Sequence, residues 1–210
     1  MNSIVALVGA GPGQADMLTI RALNYIKKAD CIIYDRLINP TILSYCKDNC
    51  EKIFVGKENH FHILPQDQIN ELILKKASEY SIVVRLKGGD PYVFGRGGEE
   101  ALYLERHNIA FEIVPGVTSA IAALTTAGIP ITHRGIAKGF RVITAHSKND
   151  HLSDIDFSKL TDTTESLVFL MGLAHVKDIV ENLISVGRCP DTPIRSEEHT
   201  SELQSRLHLV

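Results

Sequence analysis

Short apolar runs alternate with amphipathic stretches along most of the chain, and that rhythm predicts its elements. Ser3–Val8 is an apolar strand that runs into the loop GAGPGQAD. Asp16 is placed to cap a helix whose apolar face is Met17, Leu18, Ile20, Ala22, Leu23 and Ile26. Cys31–Tyr34 predicts a second strand ending at Asp35-Arg36, a short helix follows Pro40, and KIFV predicts a third strand ending at Gly56-Lys57. Pro65 opens a helix with Ile69, Leu72, Ile73 and Ala77 on one face. Ile82–Leu86 is a fourth strand, Gly97–Arg106 a helix and Phe111–Val114 a fifth strand. Strands that alternate with helices in this way imply an α/β fold with a parallel sheet.

The grammar changes after Pro115-Gly116. Thr118–Ala127 reads as a helix of small residues and Gly128–Gly135 as a linker. Arg141–Ala145 and Ser166–Met171 read as strands, and Leu173–Val186 as a helix. This divides the chain into an α/β domain over residues 1–115 and a second, incomplete α/β domain over residues 116–194. From Arg195 the string RSEEHTSELQS resembles the translation of a common sequencing adapter, so residues 195–210 are expected to be a non-native tail. A domain cut at Ile194 should leave unpaired strand edges, and hence a poorly stable, largely inactive chain.

Bulk properties narrow the function. Of 210 residues, 44% are apolar and 22% charged, which suits a globular domain. A net charge of −3 gives no basic field to recruit nucleic acid or an anionic membrane. No apolar run approaches the roughly 18 residues of a membrane span. The N-terminus lacks a basic stretch before its apolar run, so it reads as a first strand and not a signal peptide. Cys31, Cys46, Cys50 and Cys189 form no CxxC pair; they read as free thiols of a reducing, cytoplasmic compartment, with no metal site.

The candidate chemistry lies at strand ends. RLKGGDPYVFGRGGEE, from Arg85 to Glu100, sets five glycines and an Asp-Pro step directly behind an apolar strand. Glycine allows main chain to approach what a side chain would block, so this reads as a ligand loop. Ligands of open α/β sheets bind beyond the carboxyl ends of the strands, so Asp35, Lys57 and Asp90 should gather at one rim. Gly9-Ala10-Gly11-Pro12-Gly13 stands where a dinucleotide fingerprint would, although Gln14 occupies the place of its last glycine. Asp35 on a ribose would complete an NAD site, so an NAD-dependent oxidoreductase stays open.

VGAGPG, YDRL, VGK, HxxPQxxIN, RLKGGDPYVFGRGGEE, VPGVTSA, AGIPITHR and LVFLMGL, in this order, resemble the tetrapyrrole methylases, the class III AdoMet-dependent methyltransferases. Within them the likeness is to the C-methyltransferases of uroporphyrinogen III, and it covers residues 3–194. The resemblance implies the two-domain tetrapyrrole methylase fold with AdoMet between the domains, a homodimer, and methylation of C2 and C7 to precorrin-2 on the way to sirohaem or cobalamin. S-adenosylhomocysteine would be the second product. It implies Pro12, Gly88, Gly89, Asp90, Val93, Thr118, Ser119 and Met171 as cofactor contacts, with Asp35 as proton acceptor and Lys57 as proton donor. The carboxylate-rich substrate calls for cations, and Arg36, Arg85, Lys87, Arg96 and Arg134 are the candidates beside Lys57. Glu58 and His60 depart from the family's usual Arg and Gly after VGK, which bears on substrate contacts. A methylase for a later corrin precursor, or a non-catalytic AdoMet-binding module, are the other readings.

Overall fold

The computed structural model describes residues 3–56, 64–145, 152, 155–198 and 207–209. Two compact units divide the chain, residues 1–119 and 120–210. The first is built on a five-stranded sheet of β1 (Ile4–Gly9), β2 (Cys31–Tyr34), β3 (Glu51–Phe54), β4 (Ile82–Lys87) and β5 (Ala110–Val114). The strand order is β3-β2-β4-β1-β5, and every pairing is parallel. Parallel strands need crossovers that cover both faces, which explains why these strands read as nearly continuous apolar runs.

Alternation along each strand sorts its side chains between two cores. Ala6, Val8, Ile32, Val84 and Leu86 pack on one face with Ala22 and Ile26 of α1 (Ile20–Lys28) and with Ile42 of a 3₁₀ turn. Val5, Leu7, Cys31, Ile33 and Val83 pack on the other with Ile69, Ile73 and Ala77 of α2 (Gln66–Glu79) and Ala101 and Leu104 of α3 (Gly97–Arg106). Arg85 and Lys87 share the parity of Val83, so β4 sends two cations into this second core.

The first helix starts later than its pattern predicts. Ala15–Met17 forms a separate 3₁₀ turn, and the α-helix is capped by Thr19, whose hydroxyl accepts the Ala22 N–H at 3.1 Å, not by Asp16. Ile20, expected on the apolar face, is 80% exposed. The Thr19 hydroxyl also donates to the Pro115 carbonyl at 3.4 Å, tying the helix start to the end of β5. Thr19→Ala is expected to lower stability by about 1 kcal/mol. Urea unfolding should show this as a lower midpoint at unchanged slope.

In the second unit, β6 (Gly139–Thr144) and β7 (Glu165–Leu170) pair in parallel. One face of this sheet carries Leu167 and Phe169 against Ile179 of α5 (Val176–Ser185). The other carries Val168 and Leu170 against Ala120 and Leu124 of α4 (Ser119–Thr126). The end of β7 is covered on its outer side at Phe169 and Leu170. β9 (Leu207–Leu209) pairs with it antiparallel, and β8 (Ser196–Glu198) pairs with β9. Residues beyond 195 thus cover Phe169 and Leu170 of β7, and β6 and β8 are the margins of this sheet.

Candidate active site at the rim of the first sheet

Because β1–β5 all run the same way, the loops that follow them leave at one rim. Three of these loops meet through glycine. The loops after β1 and β4 form a backbone bridge, in which the Gly89 N–H donates to the Gly11 carbonyl at 2.7 Å and the Gly11 N–H to that of Gly89 at 3.1 Å. The turn after β5 closes on both. A Cβ on Gly116 would lie 2.1 Å from the Gly89 carbonyl oxygen, and one on Gly9 would lie 2.6 Å from Gly116 Cα. The sequence pattern suggested glycines that admit a ligand; these admit one another.

Asp90 locks the junction. Its Oδ1 accepts the Tyr92 N–H at 2.8 Å and its Oδ2 the Gly116 N–H at 3.0 Å, so one carboxylate ties the β4 loop to the β5 turn. Beyond it the chain turns sharply over the Pro91 carbonyl, and Phe94 and Arg96 take left-handed φ values of 52° and 56°. Such conformations in non-glycine residues persist only where surroundings impose them, and they gather at functional sites. Tyr92, Val93 and Phe94 are left exposed. Gly89 is itself buried, yet a Cβ there would meet only Thr118 Cα, at 3.9 Å.

Asp35 follows β2 on the same rim. Its Oδ1 accepts the Leu37 N–H at 3.0 Å and its Oδ2 takes Arg85 Nη2 at 3.3 Å, while a quarter of its side chain, 25%, stays exposed. Behind it lies a buried ionic cluster. Arg85 is 3% exposed; its Nε donates to Glu100 Oε1 at 3.1 Å and its Nη1 to the carbonyls of Leu86 and Ile33. Lys87 Nζ reaches the same Glu100 oxygen at 2.9 Å, and Gln66 Nε2 at 3.3 Å. Burial, with the neighbouring Arg85 charge, holds the Lys87 ammonium below its ordinary pKa against the pull of Glu100.

These positions change the list of substrate cations. Lys87 and Arg85, expected to face a carboxylate-rich substrate, point into the core and are paired there. Arg96, at the N-cap of α3, forms a surface pair with Glu99 at 2.7 Å. Arg36, half-buried beside Asp35, joins no ion pair among the described residues, and its buried Nε has no hydrogen-bond partner. Arg134 is exposed in the turn between His133 and Ala137. Lys57, Glu58 and His60 lie outside the described residues. Of the proposed cofactor contacts, Pro12 is half-buried, Gly88 is fenced by Leu37, and Thr118 and Ser119 follow Gly116. Met171 stands in the second unit, directly after β7, with a left-handed φ of 58°. Glu100 was the residue the sequence reading missed. An arginine inside a strand covered on both faces demands a counter-charge, and that was its signal.

The dinucleotide alternative loses its geometry here. A Rossmann half pairs β1 with β2, whereas β4 separates them in this sheet, and no α-helix starts until Ile20.

Residues 5–198 match the family of Tetrapyrrole (Corrin/Porphyrin) Methylases. The chain belongs to this family. As a tetrapyrrole methylase it is 46% identical over 196 residues to the uroporphyrinogen-III C-methyltransferase of Methanocaldococcus jannaschii, covering 92% of this chain and 80% of that protein. It is 49% identical to a siroheme synthase of Pseudomonas fluorescens, covering 90% of this chain but only 40% of that longer protein. Among solved structures it matches the uroporphyrin-III C-methyltransferase of Thermus thermophilus complexed with S-adenosylhomocysteine. The TM-score is 0.80 at 38% identity, with 98% of this chain and 82% of that one covered. The methylase fold expected from the motifs is thus the observed one.

Proposed function

We propose that this methylase transfers methyl groups from AdoMet to ring carbons of uroporphyrinogen III. The observation that carries the reading is the rim itself, where Asp35 and Asp90 are each held in one orientation at both oxygens and the side-chain direction of Gly89 is uncrowded. The fixed carboxylate of Asp90 next to an uncrowded glycine suits a cationic ligand such as a sulfonium bearing an amino acid, and leaves Asp35 for proton transfer. The relatives support it, being uroporphyrinogen-III C-methyltransferases in two organisms, one of them complexed with S-adenosylhomocysteine.

AdoMet supplies an electrophilic methyl group that a nucleophilic pyrrole carbon can attack in line. Pro12, Gly88, Gly89, Asp90, Val93, Thr118 and Ser119 would hold the cofactor, and Met171 is the further contact that the family motifs imply. Asp90 presents a charge that cannot swing, since both of its oxygens are engaged by N–H groups. Holding two reacting carbons in line is worth roughly 7–11 kcal/mol, so most of the catalysis required of the protein is positioning. Asp35 accepts the proton released by the methylated macrocycle, and Lys57 is the proton donor. Arg36, Arg96 and Arg134 are the candidates to meet substrate carboxylates, charge-assisted hydrogen bonds contributing roughly 1.5–3 kcal/mol each.

The products follow as precorrin-2, by methylation at C2 and C7, and S-adenosylhomocysteine, feeding sirohaem or cobalamin synthesis. A cytoplasmic homodimer is the assembly proposed with it; no described helix is long and apolar enough to cross a membrane. Asp35→Asn is expected to lower kcat on uroporphyrinogen III by about 10²- to 10⁴-fold, with S-adenosylhomocysteine affinity unchanged. Turnover within twofold of the parent would remove Asp35 from the mechanism.

A further inference from the structure

We infer that Arg85, held by Glu100, is the positioning residue for Asp35. The inference rests on Asp35 being the proton acceptor. A carboxylate at a strand end has two soft torsions, and a base must meet its proton within hydrogen-bond distance. Asp35 is held at both oxygens, by the Leu37 N–H in its own turn and by Arg85 Nη2 from β4. The first contact fixes only the local turn. The second reaches across the sheet from a guanidinium that is itself immobile.

That immobility is built from every side. Arg85 stands opposite Ile33 in the β2–β4 register, and Ile33 is two residues before Asp35 on the same strand face. The guanidinium therefore lies beneath the carboxylate it holds. Its Nη1 is taken by the carbonyls of Ile33 and Leu86, its Nε by Glu100 Oε1, and its Nη2 remains for Asp35. Glu100 is 1% exposed and is gripped in turn by Lys87 Nζ and Gln66 Nε2 on the same oxygen. Three edges of one planar fork are thus allotted to three different jobs. Lysine, with a point charge and no fork, cannot perform them together.

A purely structural cluster would also be buried and paired, so the test separates the two roles. The full chain carrying Arg85→Lys should fold and bind S-adenosylhomocysteine within about twofold of the parent. Its kcat on uroporphyrinogen III should fall roughly 10- to 100-fold, as small misplacements of a reacting group do, while the KM for AdoMet stays put. In the Asp35→Asn background, Arg85→Lys should cost almost nothing more, because a residue acting only through Asp35 has nothing left to position. Arg85→Gln is the second variant if lysine unfolds the chain, with the same expected pattern. An undiminished kcat in the folded variant, or a full additional loss in the double variant, overturns the positioning role while leaving Asp35 as the base. Wild-type turnover by Asp35→Asn alone overturns the base assignment, and is seen before Arg85 is touched.

Discussion

Gly116→Ala should cost the first unit about 3 kcal/mol or more, and with it tight binding of S-adenosylhomocysteine. A single methyl group is a small insertion, and in most loops it would be absorbed. Here the new Cβ would lie 2.1 Å from the carbonyl oxygen of Gly89 and 2.8 Å from Gly9 Cα, both main-chain atoms. Neither can rotate away as a side chain would. The Gly89 carbonyl is moreover engaged by the Gly11 N–H, so displacing it also breaks the bridge between the loops after β1 and β4. Gly98→Ala is the matched control. It lies in α3 with nothing within 4 Å of the added carbon, and alanine there should be neutral or stabilising by up to about 1 kcal/mol. Urea unfolding and ligand titration of the two variants make the comparison. A parent-like midpoint for Gly116→Ala would show that the three loops do not touch.

Glu100→Ala is expected to be comparably severe, at about 3–5 kcal/mol, for an electrostatic reason. The substitution removes the carboxylate shared by Arg85 and Lys87 and leaves two cations in a dry core with Asp35 as the nearest counter-charge. Arg96→Ala breaks another ion pair of the same helix, that with Glu99, yet both partners are more than half exposed. Solvent already screens them, and the expected loss is about 1 kcal/mol or less. Chemical denaturation of both variants reads the contrast directly. Equal losses would mean that the cluster beneath Asp35 is hydrated and not the dry network its distances describe.

Much of this was legible before any coordinates. The limits of α3 follow from GRGGEEALYLER, because glycine at its start and apolar spacing along it leave little choice. β2 and β4 follow from CIIY and IVVRL, whose branched residues suit a strand covered on both faces. The start of α1 was misplaced because Asp16 and Thr19 both suit a cap, and only the tertiary bond from Thr19 to Pro115 decides between them. At the site, the residue types were readable and their duties were not. A lysine behind a glycine pair, in LKGGDP, looks like a ligand contact until strand parity turns it inward. Glycines that look spared for a ligand are required by three loops far apart in sequence. Pairwise closeness of this kind leaves no mark on any one segment.

The sheet order also governs how the chain can be made. β1 emerges first, yet its neighbours are β4 and β5, and its register joins Ile4 to Ile82 and to Ala110. At synthesis rates of about 5–20 residues per second, the first strand waits on the order of 4–16 seconds before β4 exists to receive it. Only β2 and β3 can pair early, and they form one margin of the finished sheet. The six residues of β1, IVALVG, therefore spend that interval without a ladder. The topology thus sets a delay on the first strand that no local change in its own sequence can shorten.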